Sequence, residues 1–229
     1  MTNPNIEQLT GKAQNHLNSC WSGSLIHAET LSSLERLRER ASKAGFQLAI
    51  ASSFRDYHRQ AIIWQEKIQG KRPVYDDEGN LLDVSCLSDD EVLSAILRWS
   101  ALPGVSRHHW GTDFDFYDAS AIDDRYRLQL IPEEYQEGGP FSDLSQWLAE
   151  KVQGDDAEGF FFPYEKDLGG VAPEPWHLSH RPTARAFESL WSFDRFMAML
   201  DEGIWPLEGA IRKRAKDIYH YYVAPAVRP

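Results

Sequence analysis

Residues 112–118, Thr-Asp-Phe-Asp-Phe-Tyr-Asp, alternate polar and aromatic side chains. Successive strand residues point to opposite faces, so this stretch predicts a strand with one polar face and one packed face. Residues 46–53, FQLAIASS, predict a second, buried strand, and 159–164 (GFFFPY) and 174–180 (EPWHLSH) predict two more. Pro163 and Pro175 suit strand ends or edges. Helical spacing governs most of the rest. Leu25, Ile26, Leu31, Leu34 and Leu37 form a stripe in 24–45, with Gly45 as a C-terminal cap. Asp56 is placed to N-cap a helix that closes at Gly70, and Ser88 with Glu91 makes a capping box for another. Residues 71–87 contain an Asp-Glu-Gly-Asn turn and predict a loop or small hairpin. A further helix is expected over 141–154, with Ser142 or Asp143 near its start and Gly154 at its end, and two more over 184–203 and 207–222. Helices, then mixed strands and helices, then helices make an α+β fold, read as a single domain over 1–229.

Charge narrows the partners. The chain of 229 residues carries 24 Lys and Arg against 35 Asp and Glu, a net −11. Long-range repulsion makes nucleic acid and anionic membranes poor partners, and no protein partner is expected. No apolar run reaches the ~20 residues of a membrane span. The first residues, MTNPNIEQLTGKAQNHLNS, have neither a basic nor an apolar region, so the expectation is a cytoplasmic protein. Cys20 and Cys86 show no metal-ligand spacing and are expected to be free thiols.

Two stretches carry chemistry. SRHHWGTDFDF, residues 106–116, holds two histidines, a glycine and two aspartates. His108 and Asp115 are seven residues apart, with Gly111 between them to let the backbone turn tightly. EPWHLSH places His177 on a later strand with Glu174 three residues before it. Zinc hydrolases use three His, Asp or Glu ligands and keep one position open, with a separate carboxylate as general base. These residues can supply that set. His109 reads as a neighbour pointing away, and His180, on the opposite strand face from His177, as structural.

The motifs resemble a family. SRHHWGTDFD matches Ser-x-His-x-x-Gly-x-x-x-Asp, EPWH matches Glu-x-Trp-His, and SSFRDYHRQ resembles a Ser-x-x-Arg segment followed by a glutamine. Together they are similar to the VanY-like and VanX-like zinc D-alanyl-D-alanine carboxypeptidases and dipeptidases, within the LAS group that also includes the hedgehog signalling domain. The resemblance covers about residues 46–180, leaving N-terminal helices over 1–45 and a helical C-terminal extension over 181–229. It implies an LAS/hedgehog-like core with a small antiparallel sheet and one Zn²⁺ per chain, ligated by His108, Asp115 and His177. It implies Glu174 as general base and Arg55 as the cation that stabilises the oxyanion. Ser106, Gln60, Trp176 and Asp113 are candidate substrate contacts. Asp113 departs from the pattern, which has a small apolar residue there; besides binding substrate it can hydrogen-bond a ligand histidine or compete for the metal. The implied reaction removes a terminal D-amino acid from peptidoglycan stem peptides or muropeptides. The alternatives are an L,D-carboxypeptidase, a lysin-like stem-peptide endopeptidase, or a non-catalytic zinc-binding module.

Overall fold

A computed structural model describes residues 3–224; the ends of the expected first and last segments lie outside that range. Helix α1 (Ile6–Leu9) precedes a hairpin of β1 (Leu17–Ser19) and β2 (Leu25–His27). Helix α2 (Leu31–Lys43) leads into β3 (Leu48–Ser52) and α3 (Tyr57–Ile68). Helix α4 (Asp89–Trp99) is followed by a 3-10 turn, Arg107–Trp110, and β4 (Asp113–Asp118). Then come α5 (Ser142–Gln153), β5 (Phe160–Phe161) and β6 (His177–His180). Four helices follow: α6 (Arg181–Glu188), α7 (Phe193–Glu202), α8 (Glu208–Lys213) and α9 (Ala215–Ile218).

The main sheet is antiparallel in the order β3-β4-β6-β5. Its register positions the chemistry. Asp115 pairs with His177 and Asp113 with Ser179, so these four side chains share one face. Phe114, Phe116 and Leu178 point the other way, into a core with Leu34, Leu37, Phe141 and Leu148. Slipping β6 by one residue would turn His177 into that core. Between Ile50 and Ser52 the β3–β4 register shifts, so Ala51 is an extra residue that bends the end of β3.

A second cluster joins Trp64 of α3 and Leu93, Ile96 and Leu97 of α4 to Phe187, Phe196, Ile211 and Ile218 of the C-terminal helices. Phe187 stacks on Trp110, whose turn also carries His108, with ring centroids 5.5 Å apart. Helix α6 is therefore packed against the turn that carries His108.

Three local expectations change. The helix expected from residue 24 starts at Leu31, because Leu25 and Ile26 pair with Ser19 and Asn18 in the hairpin. Ile26 is buried in that strand, a placement that helical spacing mimics. The helix expected over 184–203 breaks after Glu188 and restarts at Phe193, where the Ser192 side chain accepts from the Arg195 N–H. The last helix divides into α8, α9 and a wider turn, Tyr219–Val223. Caps behave as expected at Asp56 and at the Ser88–Glu91 box. Cys20 and Cys86 are free thiols. Among the described residues no helix is long and apolar enough to cross a membrane.

Candidate metal centre and active site

Backbone bonds lock the segment after β3 to the 3-10 turn. The Arg55 N–H donates to the His108 carbonyl at 3.1 Å. His109 takes the Gly104 N–H on Nε2, at 3.0 Å, so its Nδ1–H donates to the Arg55 carbonyl at 2.5 Å. His109 is thus a buried brace, and burial pushes its pKa down to about 3. Gly111 ends the turn at φ 69°, where an added Cβ would lie 2.4 Å from Leu17.

This bracing aims His108. The Ser53 carbonyl, an acceptor only, faces His108 Nδ1 at 2.8 Å, so Nδ1 carries the hydrogen. Nε2 is left as a lone pair 3.5 Å from Asp115 Oδ2. On β6 the roles reverse. His177 Nε2 is held by Asp113 Oδ1 at 2.9 Å, and Nδ1 points to Asp115 Oδ1 at 3.3 Å and Glu174 Oε2 at 3.2 Å. Potential ligand atoms of His108, Asp115 and His177 all lie within 4.8 Å of one another, and all three residues are buried.

The donor set fits zinc. Asp115 Oδ1 and His177 Nδ1 are buried and hydrogen-bonded to nothing, despite lying close together. Buried polar atoms are rarely left so, and a cation between them satisfies both. Two imidazoles and one carboxylate form a three-ligand set of the kind that catalytic zinc sites use while keeping a fourth position open. Burial alone would raise the Asp115 pKa, but His108 and His177 hold it well below the carboxylate range. Burial also opposes charge on His177, yet the carboxylates of Asp113, Asp115 and Glu174 around it raise its pKa well above the usual value. A metal ion at Nδ1 must therefore displace a proton.

Glu174 sits in the turn before β6, its N–H bonded to the Tyr164 carbonyl at 3.0 Å. Its side chain is 14% exposed against 6% for Asp115, so Glu174 faces the more open side. Arg55 is held by Gln60 Oε1 at 2.8 Å and Ser52 Oγ at 3.2 Å. It feels the charges of Asp115 and Glu174, although burial lowers its pKa. Ser106 begins the turn that carries His108 and is itself buried.

Three of the expected substrate contacts are buried and engaged within the protein. Gln60 is fully buried and spends its amide on the Ala101 carbonyl at 2.7 Å and its oxygen on Arg55, so it supports that cation. Trp176 is buried in the core beside Tyr135, 5.7 Å between ring centroids. Asp113 is fully buried with both oxygens hydrogen-bonded, and it is not among the gathered ligand atoms. His180 turns away from the site to Thr30 and Thr183.

Two neighbours were not anticipated. Tyr164 sets its ring edge-on to His177, centroids 5.0 Å apart, through a long-range contact with no local signal. Lys67 feels Glu174, Arg55 and Arg72, and burial brings its ammonium down to about 8. It lies seven residues after Gln60 on α3, hence on the same helix face, a spacing that was readable. A surface cavity of about 720 Å³ lies between the 75–91 region and α8, away from this centre. Its Arg98 and Lys213 are already paired with Asp77, Asp167 and Asp90.

His177→Ala should reduce bound zinc from about one per chain to near zero, measured by metal analysis after dialysis. Full retention would remove His177 from the ligand set.

The model of the VanY family, described as D-alanyl-D-alanine carboxypeptidase, matches residues 23–183, more than two thirds of the chain. An uncharacterised protein of Haemophilus influenzae is 43% identical over 100 residues, 42% of this chain and 68% of that one. A second from the same organism is 40% identical over 85 residues; the match spans 36% of this chain and 63% of that protein, under two thirds of its length. Among solved structures, VanYB in complex with D-alanine-D-alanine has a TM-score of 0.52 and 18% identity, covering 80% of this chain and 87% of that one. A VanY D,D-pentapeptidase variant in complex with Zn(II) gives 0.51 and 19%, covering 93% and 89%. The LdcB LD-carboxypeptidase gives 0.50 and 22%, covering 89% and 80%. These structural likenesses establish a shared fold, and the family match covers every residue of the candidate centre. The chain belongs to the VanY D-alanyl-D-alanine carboxypeptidase family.

Proposed function

We propose that the protein is a zinc-dependent carboxypeptidase that removes a terminal D-amino acid, of the D-Ala-D-Ala type, from peptidoglycan-derived peptides. The observation that carries this reading is the convergence of His108, Asp115 and His177, with unsatisfied ligand atoms, beside Glu174. Zinc held by these three residues supplies a Lewis acid and a water whose pKa is brought toward ~7.

The protein's own groups do the rest. Glu174 takes a proton from the attacking water, holds it on its carboxylate and delivers it to the leaving amine. Asp115 lacks that freedom as a ligand, and Asp113 lacks it because its oxygens are engaged. Arg55 presents a braced fork of donors toward the charge that develops on the scissile carbonyl oxygen. Lys67, electrostatically coupled to Arg55 and Glu174, adds positive charge to this flank, while Arg72 nearby is paired with Glu66. A cationic flank suits a substrate that ends in a free carboxylate, which favours terminal over internal cleavage. A positioned base favours catalysis over a binding module.

Mass spectrometry of products from muramyl tri-, tetra- and pentapeptides tests the reading. The expected result is loss of one D-alanine from the pentapeptide, and poor use of the same peptide amidated at its C-terminus. Release of D-alanine from the tetrapeptide alone would replace the reading with L,D-carboxypeptidase activity, and internal fragments would replace it with a lysin-like one.

A further inference from the structure

A buried charged network reaches from the C-terminal helices to His177. Asp113 Oδ1 accepts from His177 Nε2 at 2.9 Å and from Arg107 Nε at 2.8 Å. Its Oδ2 accepts from Thr112 Oγ at 2.6 Å and Ser179 Oγ at 3.1 Å. Arg107 spends its remaining nitrogens on Ser179 Oγ, at 2.6 Å, and on Glu188 Oε1 of α6, at 2.7 Å. Its guanidinium lies 4.6 Å from the Trp110 ring centroid. Every member of this network is buried.

Burying four charged groups carries a desolvation cost that apolar side chains of equal volume would avoid. Stability alone therefore gives weak reason for the arrangement; its geometry gives a better one. Asp113 accepts from Nε2, so Nε2 keeps its hydrogen and Nδ1, facing Asp115 and Glu174, is the nitrogen that gives up its proton to a metal. Four donors saturate Asp113, so it cannot swing to the metal. Arg107 immediately precedes His108, so the same turn that delivers one histidine fixes the partner of the other.

We infer that Asp113, held by Arg107 and Glu188, is the positioning residue that orients His177 for the metal, and that helix α6 is thereby a working part of the metal centre. This inference rests on the metal site proposed above. It gives the first helix after the sheet a task that the sequence left unassigned.

The test is zinc affinity, measured by chelator competition at one fixed pH on folded protein, together with the visible d–d spectrum of the cobalt(II)-substituted protein. Asp113→Ala should weaken zinc binding about 10- to 100-fold, the usual effect of losing such an outer partner. Asp113→Asn, which keeps the shape and one acceptor, should weaken it less, and Glu188→Gln less again but in the same direction. The cobalt spectrum should change in the Asp113 variants, because the ring that ligates through Nδ1 is no longer held. A merely structural ion pair would lower the melting temperature of the metal-free protein and leave that spectrum unmoved. Should Asp113→Ala fail to fold, with Arg107 left without its partner, Asp113→Asn decides. Zinc affinity within twofold of wild type and an unchanged cobalt spectrum would overturn the inference while leaving the metal site intact. If wild type holds no zinc that depends on His177, the site and the inference fall together.

Discussion

Glu174→Ala is expected to keep about one zinc per chain and to lose at least ~100-fold in turnover, the lower range for a general acid–base group. The two halves of that result come from separate features. Metal retention follows because the three gathered ligands are His108, Asp115 and His177. Loss of turnover follows from position: Glu174 Oε2 lies 3.2 Å from His177 Nδ1, at the point where ligand atoms converge, yet its side chain keeps more solvent access than Asp115. A proton taken from water there can be handed on to an amine leaving toward solvent. No other nearby carboxylate stands in, since Asp113 is saturated by four donors and Asp115 faces both histidines. Glu174→Gln, which keeps shape and polarity, should be nearly as slow. Near-normal turnover of either variant, with zinc content verified, would end the role given to Glu174.

Arg55→Ala is expected to lower turnover about a hundredfold, on the order of 3 kcal/mol, as when one oxyanion donor is removed. Its contact with the carbonyl oxygen strengthens as charge develops, so turnover should suffer more than the Michaelis constant. Arg55→Lys should recover part of the loss, because an ammonium keeps the charge and lacks the planar fork. The same substitution strands Gln60 Oε1, which is buried and now bonded to Arg55. A modest drop in stability, about 1–3 kcal/mol for a buried acceptor left unpaired, should therefore accompany Arg55→Ala. If Arg55 instead anchors the substrate carboxylate, the Michaelis constant should rise while turnover holds. The oxyanion role would then need another donor, and Lys67 of α3, coupled to both Arg55 and Glu174, is a candidate. Unchanged kinetics would place Arg55 outside the reaction.

Much was legible in short windows of the chain. The alternation in 112–118 gave β4, with Asp113 and Asp115 on one face. The Asp56 cap and the Ser88–Glu91 box marked the starts of α3 and α4 correctly. The spacing around Gly111 allowed His108 and Asp115 to face one point, and the family resemblance added His177, which the structure gathers with them. Caps, turns and periodicity act between residues a few positions apart, so their signals survive in the sequence itself. The strand hidden in 24–27 was missed because Leu25 and Ile26 fit a helical stripe as well as a strand, and the decision came from pairing with residues 17–19. At Gln60 and Asp113 the motif declares chemistry and not exposure. Tertiary packing buried both and spent their polar atoms on Arg55 and His177. Sequence by itself determined which side chains can ligate, take up a proton or carry fixed charge, and which local elements bear them. Only the tertiary structure decided that Arg107 meets Glu188, 81 positions away, and that His177 turns Nδ1 toward Asp115. Those outcomes depend on strand register and on helix α6 closing over the turn, which arise from burial across the whole fold and leave no periodic trace in the chain.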